Sequence, residues 1–292
     1  MNYAGRPLPQ DRGHLLWDGE KPTELLIESI DRWVDNLLRD DSVASIPNGG
    51  TKVEARIISK QNGVLAGVAV IERMLSNSDS KIEIDWKSRD GNRIEPGTIA
   101  ILNGSSEALL SLERTMLNML GRLSGIATNT AVWIQSTSCA VACTRKTTWG
   151  LLDKWAVILG GGLTHRLSRD DALMLKENDL VGEDSIESAL AKVNPQEWGF
   201  VEIEVRSQEE ALRAANTWIH PQSLVIMLDN MSAEECISTR NSIRDPRIIL
   251  EVSGGITLDS LMDWRGVDVI SASALNQGVP HLDLSLLFEG VE

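Results

Sequence analysis

The spacing of apolar positions changes period along this chain, and each change predicts an element. Between 22 and 39 (PTELLIESIDRWVDNLLR) apolar residues fall at 25, 26, 30, 33, 34, 37 and 38, a helical stripe opened by Pro22 and Thr23. From 51 to 103 the period is two: Val53, Ala55 and Ile57, then Ile82, Ile84 and Trp86, alternate with polar or charged neighbours. Asn62-Gly63, Asp90-Gly91-Asn92 and Pro96-Gly97 mark turns between these strands, Ile46 to Gly50 marks another, and Leu65 to Met74 reads as a short helix. This half is a small α/β module with a largely antiparallel sheet. Helical spacing returns over 105–136, with Leu or Met at 109, 110, 112, 116, 117, 119, 120 and 123 and a break expected at Ser124-Gly125. Residues 1–20, with two prolines and three glycines, have no period and are expected to be irregular.

Beyond 139 the elements alternate. Strands are predicted at 140–143, 172–175, 201–205, 224–228, 248–252 and 267–270, and helices at 150–159, 183–192, 207–217, 232–243 and 257–264. Strand–helix repetition with short loops is the mark of parallel βαβ units, here about six, which close into a barrel of TIM type or a near relative. The fold class is therefore α/β: an N-terminal α/β domain over 1–115, then an α/β barrel over 116–292 whose C-terminal segment can pack back on the first domain.

Composition excludes several partners. The chain has 292 residues, 42% apolar and 24% charged, with a net charge of -14, so it lacks the basic face that DNA or RNA phosphates require. No apolar run approaches the roughly 18 residues of a membrane helix, and MNYAGRPLPQDRGH contains no signal-peptide core. Cys139, Cys143 and Cys236 form neither a disulfide framework nor a CxxC metal pair, which points to a reduced, cytoplasmic protein. Nine tryptophans against two Phe and one Tyr are scattered as packing residues, without the interleaved cations of a base-stacking platform.

Against that acidic background one region is basic. Residues 101–169 carry seven Lys/Arg (114, 122, 145, 146, 154, 166, 169) against three acids (107, 113, 153), a local excess of +4. The stretch from Thr144 to Asn178 holds the pairs Arg145-Lys146 and His165-Arg166, the triple glycine 160–162 and Lys176. A positive island in an acidic chain points to one specific anionic ligand. A solvated charged face is the alternative, but these cations lie beside strand ends and glycines instead of along a helix. Gly160 to Gly162 can serve more plainly by ending the helix 150–159.

Barrel chemistry sits at the carboxyl ends of strands. Those ends here are Thr144-Arg145-Lys146, Lys176-Glu177-Asn178, Glu204-Val205-Arg206, Asp229-Asn230, Ser253-Gly254-Gly255 and Ser271-Ala272-Ser273. Arg145, Lys146, His165, Arg166 and Lys176 together can neutralise a ligand with several negative charges. Ser253-Gly254-Gly255, before a helix starting near Thr257, resembles a helix-N-terminal phosphate site, with Ser271 to Ser273 as its other half. Glu202 and Glu204 share a strand face and Asp229 ends the next strand. Acids at a cationic mouth suit Mg²⁺, ribose hydroxyls or developing positive charge, or a plain ion pair with Lys146 or Lys176. Phosphate, carboxylates or pyrophosphate, and ribose make up the ligand inventory of phosphoribosyl transfer.

The segments DGNRIEPGT, ERTMLNMLGRLSGIAT, TRKTT, KWAVILGGGLTHR, LKEN, VEIEV, IMLDNMS, SGGI and VDVISASAL together resemble the quinolinate phosphoribosyltransferase family over about 22–287. The resemblance implies an N-terminal α/β sandwich followed by an incomplete α/β barrel. It implies transfer from phosphoribosyl pyrophosphate to quinolinate with Mg²⁺, giving nicotinate mononucleotide, pyrophosphate and CO₂ in de novo NAD synthesis. It places Arg114, Thr144, Arg145, Lys146, His165, Arg166 and Lys176 on the quinolinate carboxylates and pyrophosphate. Glu204 and Asp229 fall at the ribose and Mg²⁺, directly or through water, so that Lys146, Glu204 and Asp229 are the catalytic candidates. Ser253, Gly254, Gly255, Ser271, Ala272 and Ser273 take the 5′-phosphate. Arg114 would serve the neighbouring subunit's site, making a homodimer the smallest assembly. Three positions depart from the family pattern: Trp149 in place of Pro, Asp179 in place of His and Ser273 in place of Gly. They leave room for a paralogue acting on another pyridine or aromatic acid. A non-catalytic sensor of phosphoribosyl ligands would be expected to lack Glu204 or Asp229, and this chain has both.

Overall fold

The structure is a computed structural model that describes residues 7–41, 49–77, 81–176 and 185–289. Most of the turn at 46–50, the run Glu177 to Asp179 and the start of the helix predicted at 183 lie outside the described residues. Two compact units emerge, each assembled from separate stretches of chain. One comprises 13–131, 147–161 and 278–292; the other comprises 1–12, 132–146 and 162–277. The expected single boundary at 115/116 is thus replaced by several crossings. Its physical reason is that residue 115 lies inside one uninterrupted helix, while the C-terminal strand pairs within the first unit.

In the first unit, helix α1 (Glu24–Asp40) starts at Thr23, whose side chain accepts from the Leu26 amide, and buries Leu26, Ile30 and Val34 along one stripe. Strand β1 (Lys52–Ser59) is followed by β2 (Gly63–Val64), α2 (Val68–Ser76), β3 (Glu83–Trp86), β4 (Arg93–Ile94) and β5 (Gly97–Ser105). Strands β1, β3 and β5 join the C-terminal β12 (Leu284–Phe288) in an antiparallel sheet of order β12-β1-β5-β3. Helix α2 begins three residues later than its apolar run. Gly67 takes a left-handed φ of 113° at its N-cap, and the Asp90 carboxylate accepts from the amides of Gly67, Val68 and Ala69.

Helix α3 (Ser106–Gln135) runs for 30 residues without the break expected at Ser124-Gly125. Both residues serve packing instead. The Ser124 hydroxyl accepts from the Ala66 amide at 2.9 Å and donates to the Ala66 carbonyl at 3.1 Å. A Cβ on Gly125 would collide with the Pro280 carbonyl oxygen. Gly125→Ala is accordingly expected to destabilise the protein by about 1–3 kcal/mol in urea unfolding, although alanine is the better helix former. An unchanged or raised midpoint would show that the close approach is not a constraint.

The second unit contains β6 (Ala140–Ala142), β7 (Leu173–Leu175), α5 (Ile186–Ala191), β8 (Val201–Val205), α6 (Gln208–Thr217), β9 (Leu224–Asp229), α7 (Ala233–Ser242), β10 (Ile248–Ser253) and β11 (Val269–Ser271); α4 (Leu151–Leu159) belongs to the first unit. Its strands form one parallel sheet of order β6-β11-β10-β9-β8-β7, extended past β6 by a single bridge from Leu163 to Ala142. No ladder among the described residues joins that bridge to β7, so the barrel is incomplete. The strands read as almost continuous apolar runs because both faces are covered. Of the stretch expected to be irregular, residues 7–12 form no helix or strand and Gly13–Leu15 form a 3₁₀ turn; Leu8 is nonetheless part of this core and packs with Ala140, Ala142, Phe200, Val225 and Val269. Where an α-helix was expected at 257–264 the chain makes a 3₁₀ helix, Leu258–Asp263. Of its residues only Leu261 is buried, while Leu258 and Met262 face solvent, so no apolar stripe exists to hold longer α turns.

Candidate active site

A cavity of about 480 Å³ opens at the carboxyl ends of the barrel strands. Thr144, Arg145, Lys146, His165, Arg166, Lys176, Glu204, Asp229, Ser253, Gly254, Gly255, Ser271, Ala272 and Ser273 all line it. Every predicted site residue of the second unit is therefore brought together. Arg114 is the one predicted residue that does not line it. It sits exposed on α3 in the first unit, with its guanidinium 3.1 Å from Asp41.

The loop after β6 presents two cations. Arg145 and Lys146 are exposed; the Lys146 amide donates to Thr144 Oγ1 at 3.1 Å, and Asn276 donates to the Lys146 carbonyl at 2.9 Å. Those bonds fix the backbone while the charged ends stay available. Lys176, just after β7, pairs with Glu204 on β8. The plain ion pair expected for these acids was open between Lys146 and Lys176; the structure pairs Glu204 with Lys176. Strand alternation explains the rest of β8: Glu202 and Glu204 point to one side, Glu204 at the cavity and Glu202 one layer deeper with no exposure.

Beside β8, strand β9 ends in Asp229, and Asn230 turns the chain with a φ of 54°. The Asn230 side chain donates to Asp229 at 3.0 Å, and its amide donates to the Ser253 carbonyl at 3.0 Å. Gly254 and Gly255 follow with φ of 105° and 61°. A Cβ at Gly254 would strike Asn230, so only glycine lets the two loops approach. The helix expected to follow this turn is absent: only a 3₁₀ helix follows Gly255, so a macrodipole contributes little here, and Ser253, Gly254, Gly255 and Ser273 are what the turn and the loop beside it bring to the cavity.

His165 and Arg166 follow the bridge at Leu163 and are largely buried, at 4% and 9% exposure. His165 Nε2 lies 3.2 Å from Glu202 and 3.2 Å from Glu251 on β10, both fully buried. Gln10 donates to the second oxygen of Glu251 at 2.9 Å. Burial alone would lower the pKa of His165, but Glu251 and then Glu202 reverse this and push it up to about 10. Burial, reinforced by Glu251, raises Glu202. Burial would also raise Glu251, but His165, Ser271 and Gln10 hold it below the ordinary carboxylate range. Gln10 and Glu251 carried no role in the sequence reading. The available signal was a carboxylate inside the apolar strand IILEV, matching the one inside VEIEV.

Both halves of the chain match known proteins. Residues 40–124 match the quinolinate phosphoribosyl transferase N-terminal domain, and residues 126–287 match the C-terminal domain. The chain belongs to the quinolinate phosphoribosyltransferase family. A probable nicotinate-nucleotide pyrophosphorylase [carboxylating] from Methanothermobacter thermautotrophicus is 37% identical over 87% of this chain and 94% of its own length. The corresponding protein from Archaeoglobus fulgidus is 38% identical over 84% and 96%. Among solved structures, NadC from Streptococcus pyogenes superposes with a TM-score of 0.80 at 32% identity, covering 91% of this chain and 99% of that one. The α/β sandwich and incomplete barrel are thus family features.

Of the three departures from the family pattern, two are visible. Ser273 opens a short 3₁₀ helix at the cavity. Trp149 sits in the first unit, its ring 5.7 Å from that of Trp33 and 5.0 Å from the Arg122 guanidinium. Arg122 makes a two-pronged pair with buried Asp153, which also accepts from the amides of Thr148 and Trp149. Trp149 is therefore clamped by its side chain and its amide. Asp179 lies outside the described residues.

Proposed function

We propose that this family member transfers the phosphoribosyl group of phosphoribosyl pyrophosphate to quinolinate with decarboxylation, giving nicotinate mononucleotide, pyrophosphate and CO₂ for NAD synthesis. The observation that carries this reading is one cavity lined together by Arg145, Lys146, Arg166 and Lys176, by the carboxylates of Glu204 and Asp229, and by a glycine turn. The curated relatives with this activity in their names span nearly its whole length.

The chemistry assigns the residues their parts. Arg145, Lys146, Arg166 and Lys176 hold the carboxylates of quinolinate and the pyrophosphate, with guanidinium forks orienting the ring and lysines neutralising charge. The ring nitrogen attacks the anomeric carbon as the bond to pyrophosphate breaks, and Lys146 stabilises the leaving oxygens. Glu204 and Asp229 face the positive charge that develops on the ribose, while Ser253 to Gly255 and Ser271 to Ser273 take the 5′-phosphate. Once the nitrogen is ribosylated the ring is cationic, so the electron pair released with CO₂ is accommodated until a proton replaces it.

Glu204 and Asp229, on adjacent strands at one cavity, are hard oxygen donors of the kind Mg²⁺ takes one or two at a time beside substrate phosphates. They would hold it, directly or through water; when bound it supplies charge neutralisation at the pyrophosphate. Arg114, exposed on α3, would serve the site of a second copy, making the working form at least a dimer. No helix of the described residues is long and apolar enough to cross a membrane. The cytoplasmic assignment rests on Cys139, Cys143 and Cys236, all buried free thiols.

Purified protein given quinolinate, phosphoribosyl pyrophosphate and Mg²⁺ is expected to release CO₂ and nicotinate mononucleotide in equal amounts. Turnover of nicotinate with quinolinate ignored would overturn the assignment.

A further inference from the structure

Both ring nitrogens of His165 face groups of the protein itself. Nε2 lies at ion-pair distance, 3.2 Å, from one oxygen of each of Glu202 and Glu251, and the Arg166 amide donates to Nδ1 at 2.7 Å. The ring edge meets Phe200, with centroids 5.5 Å apart at 70°. The backbone at 165 is left-handed, φ 53°, a conformation that a non-glycine residue holds only where its surroundings impose it. Glu202 and Glu251 come from β8 and β10, with β9 between them, and they converge on the one imidazole in the barrel interior. Gln10 reaches Glu251 from the N-terminal segment, and that segment is anchored by the Arg12 amide on Thr164 Oγ1 and the Arg12 guanidinium on Asp171.

We infer that Gln10, Glu202 and Glu251 are positioning residues that grip the Nε2–H edge of His165 and thereby fix the peptide that carries Arg166 to the cavity wall. In this arrangement His165 offers the ligand no ring nitrogen; its task is to hold the left-handed turn. Arg166 is set from two sides, by its amide on His165 and by its guanidinium on the Ala172 carbonyl at 3.3 Å. A planar fork must be placed correctly to grip a carboxylate, so loosening the turn weakens binding although none of the three bracket residues lines the cavity. The contact at Nε2 is available in either charge state of the ring, whereas the Arg166 amide on Nδ1 belongs to the neutral ring, whose single proton then sits on Nε2 between the two carboxylates.

The inference rests on the quinolinate reading for its binding arm and is independent of it for its spectroscopic arm. In the full-length protein labelled with ¹⁵N-histidine, His165 Nε2–H is expected as a slowly exchanging signal, assigned by its loss in His165→Gln. It persists when quinolinate is added and disappears in Glu251→Gln or Gln10→Ala. A ring N–H that exchanges freely, or that moves to a new partner on adding quinolinate, overturns the bracket. In calorimetric titrations Gln10→Ala and Glu251→Gln, both mild enough to fold, each weaken quinolinate binding about tenfold, and neither weakens it further in an Arg166→Ala background. Additive losses would show that the bracket does not act through Arg166. If the wild type binds no quinolinate, the enzymatic reading fails and the bracket is judged on the ring N–H alone.

Discussion

Arg145→Ala is expected to lower kcat/KM for quinolinate by roughly 10²–10³ while leaving the thermal midpoint almost unchanged. The asymmetry follows from its placement. Arg145 is exposed on the loop after β6 and forms no ion pair with any described residue, so the folded state loses little when it is truncated. In a cavity closed around a dicarboxylate, however, the same guanidinium faces charge removed from water, where a fork is worth far more than at an open surface. Arg145→Lys, which keeps the charge and loses the fork, should fall between. Arg39→Ala on α1, an exposed i,i+4 pair with Asp35, serves as the control and should leave turnover untouched. Near-normal turnover in Arg145→Ala would remove that residue from the substrate site.

The sequence anticipated this site because barrel topology turns strand ends into neighbours. Arg145, Asp229 and Ser253 are far apart along the chain, yet Asp229 and Ser253 end strands of the parallel sheet and Arg145 lies just past the end of another, and period counting alone placed them on one rim. Two kinds of feature stayed hidden. The first depends on partners distant in sequence: Ser124-Gly125 carries a break signature, and only Ala66 and the Pro280 carbonyl show that these residues close a gap beside a continuous helix. The second depends on depth. Glu202 and Glu204 are equivalent by strand alternation, but one lies at the cavity and the other in the interior, because barrel side chains stack in layers that a period of two does not number. Gln10 combines both problems, since its segment has no periodicity and its partner is 241 residues away.

The interior layer also carries the largest stability prediction. Glu251→Leu should cost about 3–5 kcal/mol in urea unfolding, because it leaves His165 facing a single carboxylate and strips the Gln10 amide of its acceptor in a site without exposure. Buried ion pairs contribute little net stability as units, since the desolvation of both charges offsets their attraction; the damage comes from removing one member alone. Replacing Gln10, His165, Glu202 and Glu251 together by leucine should therefore recover most of the loss. If the bracket existed only to hold the fold, that apolar variant would also recover quinolinate binding. Since its work is to fix the left-handed turn before Arg166, the variant should instead be stable and bind quinolinate poorly. Unfolding midpoints and titrations on the same preparations separate the two outcomes: a Glu251→Leu protein as stable as wild type would refute the buried-charge argument, and a tight-binding apolar variant would refute the positioning role.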